Sequence, residues 1–415
     1  MGEASISLTG TPISLTITGK DPIRKIFLQK LINCRSPNMF STTLSKPHSA
    51  RKRMISNIYS KSYLHSSPQL PAISQTLIYD RLLPIIQSAG KSIVLDVLEL
   101  NFAVTMDFIN AYLFGLPNGS NFLQEEEIRR HWLSLYQSRK YYTFWPQELP
   151  NLTAWLAKMG ILVVPKWVDS ANEEIEAWCL EMCDAAEISI ATSSADEQNP
   201  ESQSVVYKQL KNALANDISK SAPTVPPPPI PNQHLLLASE MLDHLAAGHE
   251  TSGITLTYLT HELSQRPHLQ AQLRSELLTL LPPLLYPSDT QMLPSQKDLD
   301  ALPLLHAILM ETLRLHPALP GGQPRITPRT PTTLGKFTDI PGGVRVNAQA
   351  YSLHRNADVF PEPEVWRPER WLEGGKEGGD AKNRWFWAFG SGGRRCVGSN
   401  FAMHGTSNLP FYLRT

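Results

Sequence analysis

The sequence predicts a mainly α-helical protein with a small β portion, from three patterns. From His234 to Arg266, Leu236, Ala238, Met241, Leu242 and Leu245 give one long helix a buried face, and Pro267 ends it. From Ser92 to Phe114, apolar residues recur at mixed three- and four-residue steps, and Pro117-Asn118-Gly119 closes that helix. From Gly335 to Tyr351 the pattern reads as a β-hairpin, with Pro341-Gly342-Gly343 as its turn.

The chain has 415 residues, enough for one large core or two ordinary ones. Its 38 basic and 38 acidic side chains balance, so nothing suggests nucleic acid. Cys34, Cys179, Cys183 and Cys396 do not make a disulfide framework, and a reducing, cytosol-facing environment fits them. Cys179 and Cys183 share a helix face and read as core residues, because no second pair has matching spacing for a metal. No stretch reaches the ~18 uncharged apolar residues of a membrane span. Leu100 to Leu116 comes nearest but holds Asn101, Asp107 and Asn110. Residues 1–20 are Ser/Thr-rich and lack the basic start and apolar run of a signal peptide.

In chain order, residues 1–39 form an atypical N-terminal segment without a motif. A basic helix begins at His48, and its His48 and Lys52 share a face at i and i+4. On its own that pair reads as a solvated stripe. Residues 75–190 are helical by pattern, with Glu173 to Ile188 as one helix. The aromatic cluster Tyr141, Tyr142, Phe144 and Trp145 reads as packing. Residues 193–232, polar at first and with prolines at 226–229, read as a surface insertion.

The helix over 234–266 holds Ala247-Gly248-His249-Glu250-Thr251-Ser252 at its centre. A glycine inside a helix costs ~1 kcal/mol, so its presence suggests that something approaches the backbone there. An acid beside a hydroxyl is a pairing that can relay protons. Thr back-bonding also loosens a helix, as at π-bulges near functional sites. Leu304 to Leu315 is a short helix with Glu311 and Arg314 at i and i+3, by default a surface pair of little worth.

The stretch Phe389-Gly390-Ser391-Gly392-Gly393-Arg394-Arg395-Cys396-Val397-Gly398 organises the rest. The helix after it starts at Ser399 and places the thiol at a helix N-terminus, where unpaired amides and the dipole favour the thiolate, the metal-ligating form. Glycines clear space for a flat ligand, and the arginines suit anionic groups. A buried haem fits these features. A phosphate-cradling loop or a small buried cysteine remains the alternative from the loop alone.

Phe389, Gly392, Arg394, Cys396 and Gly398 match Phe-x-x-Gly-x-Arg-x-Cys-x-Gly, and the chain thereby resembles the cytochrome P450 family, most closely its fungal microsomal branch. The resemblance covers about residues 40–404 and implies a P450-like haem domain there, incomplete at both termini, with an atypical tail at 405–415. It implies that Cys396 is the axial ligand of a haem b iron and that Arg394 contacts a propionate. The pair His48 and Lys52 matches the family's propionate-holding helix, with Lys where Arg is usual, and Arg325 lies where members place another propionate-binding arginine.

Ala247-Gly248-x-Glu250-Thr251 matches the oxygen-activation motif. That match gives Thr251 and Glu250 catalytic roles in oxygen activation and proton delivery, and Ala247 and Gly248 the role of leaving room over the iron. Glu311 and Arg314, with Arg370 from Pro368-Glu369-Arg370-Trp371, match a buried structural set. Ala318 to Gly322 is expected to line the substrate pocket, and Gly374 to Asn383 to lead flexibly into the haem loop.

The implied activity is monooxygenation of a small apolar or aromatic substrate, using O2 and electrons from an NADPH-dependent P450 reductase. The implied place is the cytosolic face of the endoplasmic reticulum membrane, without a transmembrane anchor in this chain. Two alternatives stand beside it: a thiolate-haem isomerase or dehydratase, and a truncated, inactive family member. The second rests on the expectation that the helix after Cys396 keeps only Ser399 to His404 before Gly405 and Pro410 break it, so that haem is held poorly.

Overall fold

The computed structural model describes residues 36–42, 44–89, 94–192, 199–220, 230–282, 292–373 and 382–408. The expectations for residues 1–35, the proline run at 226–229, the lead-in at 374–381 and Pro410 lie outside the described residues.

Helices dominate, beginning with α1 (Ser45–Ile55), α2 (Lys61–Ser66), α3 (Gln69–Gln75) and α4 (Leu83–Ala89), with a π-helical turn at Thr76–Leu82 joining the last two. Then come α5 (Val97–Phe114), α6 (Glu126–Ser138), α7 (Phe144–Glu148), α8 (Pro150–Lys158), α9 (Lys166–Thr192) and α10 (Val205–Lys220). The long α11 (Ile230–Ser264) is followed by α12 (Pro267–Leu277), α13 (Gln296–Leu299), α14 (Pro303–Leu315), α15 (Ala350–His354) and α16 (Ser399–Asn408). The strands are β1 (Gly322–Ile326), β2 (Thr332–Leu334), β3 (Phe337–Ile340) and β4 (Arg345–Gln349).

The core is built around α5 lying along α11. Asp96 caps α5 by accepting the Glu99 N–H at 3.0 Å, and from Asn101 to Phe114 every residue of the helix is buried. The two backbones approach closely because α11 offers glycines at the crossing. A Cβ at Gly248 would stand 2.7 Å from Ile109 Cγ1, and one at Gly253 would stand 2.5 Å from Phe102 Cδ1. Asp107 accepts the N–H groups of Phe122 and Leu123 at 2.8 and 3.0 Å and the Ser120 hydroxyl at 2.6 Å, which pins the following loop to α5. Burial pushes its carboxyl up to about 6 despite these donors. Among the described residues, α5 is also the one helix long and apolar enough to cross a membrane, and most of it is packed inside the protein.

Residues 36–42 lie on α11: Ser239 donates to the Ser36 carbonyl at 2.7 Å, and Glu240 takes the Met39 N–H at 3.0 Å and Arg51 of α1 at 2.5 Å.

Five sequence expectations change. The 335–351 segment is not one hairpin: β3 pairs antiparallel with β2, while β4 pairs antiparallel with β1, from Gly322 opposite Gln349 to Ile326 opposite Arg345. Pro341-Gly342-Gly343 connects strands of two different pairs. Residues 193–232 are not all insertion, because α10 puts Val206, Tyr207 and Leu210 into the core. Tyr141 and Phe144 are 85% and 54% exposed, so that aromatic cluster is not core packing. Thr back-bonding leaves α11 an unbroken α-helix, and the π-helical turn lies at Thr76–Leu82 instead.

The fifth change bears on the site. Gly405 does not end the last helix, since α16 runs from Ser399 to Asn408. A Cβ at Gly405 would meet Phe108 Cε1 at 3.0 Å, so the missing side chain lets α16 lie against α5. Phe401 stacks on Tyr112 with centroids 4.7 Å apart and on Phe108 at 4.9 Å. This tertiary packing holds a helix too short to persist alone.

Candidate active site

The loop before α16 is closed by its own backbone. Gly390 and Gly392 take φ of +68° and +67°, a region that favours glycine. The Cys396 N–H donates to the Phe389 carbonyl at 2.9 Å, and the Arg395 N–H to Gly392 at 3.0 Å. Gln323 of β1 lies beside Gly390, where a Cβ would come 3.2 Å from its Oε1.

Cys396 is exposed and unbridged, yet the protein packed around its sulfur pushes the thiol above its usual range. The Gly398 N–H, Lys52 and Arg395 offset this only in part, and Asp243 adds to the rise. A helix N-terminus was expected to favour the thiolate outright. Desolvation by the surrounding protein outweighs it.

Helix α1 supplies the loop's neighbours. His48 is buried. One turn on, Lys52 Nζ donates to the carbonyls of Arg395 at 2.6 Å and Gly393 at 3.2 Å. Arg394 Nη2 donates to the Thr42 carbonyl at 2.7 Å. Arg325, half-buried on β1, donates to the Pro324 carbonyl at 2.8 Å.

On α11, Asp243, Ala247 and Thr251 follow one another at four-residue steps, and none is fully buried although Leu242, His244, Leu245 and His249 beside them are. An exposed alanine in the middle of the central helix marks an open face. Thr251 Oγ1 donates to the Ala247 carbonyl at 2.8 Å on that face. Gly248 points the other way, against Ile109, so its small size serves helix packing. Glu250 turns toward the end of α6, where the Tyr136 hydroxyl donates at 3.4 Å and Lys140, in the turn just after the helix, pairs with it. His249 is buried and held down to about 4 by desolvation.

Glu311 and Arg314 lie on α14, and Arg370 on the turn Pro368–Trp371. The Glu311 carboxylate receives Arg314 Nη2 and Nε at 2.8 and 2.9 Å, Arg370 Nε at 3.0 Å, the Arg367 N–H at 2.8 Å and Trp371 Nε1 at 2.9 Å. The three charged side chains are at most 1% exposed. Burial pushes the Glu311 carboxyl up, but the hydrogen bonds and charge of Arg314, the Arg367 N–H and Arg370 outweigh it, and the group stays below its ordinary range. His354 extends the network, donating from Nδ1 to the Arg314 carbonyl at 2.8 Å and accepting the Trp387 N–H at Nε2, also at 2.8 Å.

A cleft of about 670 Å³ opens between α14 and α16, lined by His306, Met310, Phe389, Arg395, Asn400 and Met403 among others. Ala247 and Thr251 are not among the residues that line it.

A profile described as Cytochrome P450 matches residues 232–407, from α11 through α16. Cytochrome P450 monooxygenase avaI of Aspergillus versicolor is 29% identical, over 100% of this chain and 93% of its own length. Cytochrome P450 monooxygenase aflU of Aspergillus parasiticus is 26% identical, over 88% of this chain and 67% of its own length. Cytochrome P450 monooxygenase FGM1 of Gibberella zeae is 24% identical, over 86% and 65%. The crystal structure of a cytochrome P450, CYP102L1, superposes with a TM-score of 0.67 at 18% identity, covering 95% of this chain and 80% of that one, a likeness of fold. Over residues 232–407 the chain matches the cytochrome P450 family, and the relatives it is similar to are named cytochrome P450 monooxygenases, a family that implies an iron-haem group.

The residues present fit such a group. Cys396 offers a soft sulfur ligand on a loop bared by glycines, and Ala247 leaves an open face in the middle of the helix bundle. Among the described residues no cluster of three or more His, Cys, Asp or Glu forms a competing metal site. Sequence reasoning missed Asp243, although its place four residues before Ala247 is the signal that puts it on the Thr251 face. It also missed the Lys140 contact to Glu250, for which no local pattern exists.

Proposed function

We propose that this protein is a haem b monooxygenase that inserts one oxygen atom from O2 into a small apolar or aromatic substrate, with electrons from an NADPH-dependent reductase. One observation carries this reading. Cys396 is an unbridged, exposed thiol on a loop where Gly390 and Gly392 take positive φ and the Cys396 N–H bonds the Phe389 carbonyl, a bared soft ligand of the kind a haem iron takes.

In this reading residues 40–404 are the haem domain and Cys396 is the iron ligand. Phe389, Gly392 and Gly398 shape its loop, and Arg394, Arg325 and His48 stand on the propionate side. The haem supplies the redox chemistry of dioxygen cleavage. Ala247 keeps the helix face clear for it, and Ala318 to Gly322 line the substrate side. Thr251, bonded at rest to the Ala247 carbonyl, turns its hydroxyl into the site to pass a proton. Glu250 feeds that step after release from Lys140, which links the site to the surface side of α6. Glu311, Arg314 and Arg370 are scaffold.

Thr251→Ala is expected to leave haem content near normal while diverting reducing equivalents to peroxide. Unchanged coupling of NADPH use to product removes the role. Turnover that needs the reductase separates this reading from a thiolate-haem isomerase or dehydratase.

We also propose that the protein works at the cytosolic face of the endoplasmic reticulum membrane, held by α7, α8 and the turn after them. Helix α8 has no buried residue. Leu152, Trp155, Met159, Ile161 and Leu162 there are 40 to 58% exposed, with Lys158 and Lys166 flanking them. Aromatic and aliphatic side chains edged by lysines suit a lipid interface. Trp155→Ser with Leu162→Ser is expected to lower co-sedimentation with phosphatidylcholine–phosphatidylserine vesicles at least tenfold, since each buried side chain is worth about 1.5–3 kcal/mol. Equal sedimentation of variant and wild type overturns the assignment.

A further inference from the structure

Lys52 stands where family members carry the arginine of a propionate-binding pair, and its contacts point elsewhere. The ammonium donates to two main-chain carbonyls of the cysteine loop, Arg395 at 2.6 Å and Gly393 at 3.2 Å, the first belonging to the residue before Cys396. A reverse contact lies beside it: Arg394 of the loop donates to the Thr42 carbonyl at 2.7 Å, on the segment that leads into α1. Each side of the junction thus lends a cation to the other's backbone.

Both sides are anchored. Residue His48, one turn before Lys52, is buried. Arg51 pairs with Glu240 of α11 at 2.5 Å, and Met39 is tied to the same carboxylate at 3.0 Å. On the loop side, Asn400 Nδ2 at the start of α16 donates to the Tyr59 carbonyl at 3.0 Å. Lysine suits this work better than arginine. Its compact ammonium directs three donors to separate acceptors, whereas the guanidinium fork matches one bidentate anion.

We propose that Lys52 is a positioning residue that clamps the cysteine loop to α1, setting the place of the Cys396 sulfur through the carbonyls of Gly393 and Arg395. The proposal rests on reading Cys396 as the iron ligand. In this chain the motif's basic residue holds the ligand's backbone, and the arginine substituted by lysine loses its propionate bond without leaving the site unsupported. Two charged hydrogen bonds on a half-exposed group restrain the loop by a several-fold change in its opening equilibrium.

The test uses the full-length chain carrying Lys52→Met, Lys52→Gln or no change, divided into haem-free and haem-loaded fractions. In the haem-free fraction, an arginine-specific protease cutting after Arg394 or Arg395 is followed by mass spectrometry. Cleavage is expected to be several-fold faster for Lys52→Met and intermediate for Lys52→Gln, which keeps donors but no charge. In the haem-loaded fraction, the reduced carbon monoxide complex of Lys52→Met is expected to lose its thiolate-type band several-fold faster at unchanged haem stoichiometry. Lower haem retention with unchanged loop cleavage assigns Lys52 to a propionate and overturns the clamp. Unchanged cleavage and an unchanged band overturn it as well. If Lys52→Met does not fold, the Lys52→Gln comparison decides by the same two readouts. Failure of the ligand reading shows separately, as a thiolate-type band that survives Cys396→Ser with Lys52 intact.

Discussion

Cys396→Ser is expected to abolish the thiolate-type absorption band of the reduced carbon monoxide complex. Sulfur is the only soft ligand on the loop, and a serine hydroxyl neither ionises near neutral pH nor donates electron density as a thiolate does. The substitution changes one atom at an exposed position, so loss of fold is not the expected cause. The loop's main-chain bonds, from Cys396 to Phe389 and from Arg395 to Gly392, do not involve the sulfur and should persist. The measurement is the difference spectrum together with haem stoichiometry by the pyridine haemochrome assay. A retained thiolate-type band assigns the ligand elsewhere. The same assay on the unaltered chain addresses how well haem is held. With α16 reaching Asn408 and packed on α5, the short-helix argument for poor haem binding loses its main support.

Glu311→Ala is expected to cost on the order of 3–5 kcal/mol, because it leaves buried arginine charge without its partner. That is a large share of the ~5–15 kcal/mol that holds a typical protein folded. Arg314 retains the carbonyls of His354, Pro363 and Val365, and Arg370 retains those of Pro361, Glu362 and Val365. Neutral acceptors stabilise the guanidinium groups but do not cancel their charge in an interior site. The expected product is poorly soluble and haem-poor, with a urea midpoint well below wild type. Glu311→Gln keeps the shape and removes the charge, and it should fall between the two. Soluble, fully haem-loaded Glu311→Ala protein would contradict a structural role for the set.

Several features were legible because local sequence carries them. The period of the 234–266 segment and its terminating proline marked α11 to within a few residues of its observed span. The Glu311 and Arg314 spacing put both on one face of α14, where the structure brings them together with Arg370. The glycines of the cysteine loop signalled a tight, side-chain-poor turn, and two of them adopt positive φ.

Other features depend on partners distant in sequence. Gly405 reads locally as a helix breaker, yet contact with Phe108 nearly 300 positions away turns it into a packing residue. The same holds for Gly248, whose missing side chain makes room for Ile109. The strands of 335–351 were visible by composition, but their pairing with β1 and β2 was not, because a period of two reports a strand and not its neighbour. Glu250 and Thr251 are adjacent in the chain and so point about 100° apart on a helix. The sequence alone determined the helical class, the central helix, the cysteine loop and the resemblance to cytochromes P450. The tertiary structure decided which carboxylate meets which cation, which carbonyls Lys52 holds and how far α16 extends. Those outcomes are set by long-range contacts, in which the energy of burial and ion pairing overrides local propensity.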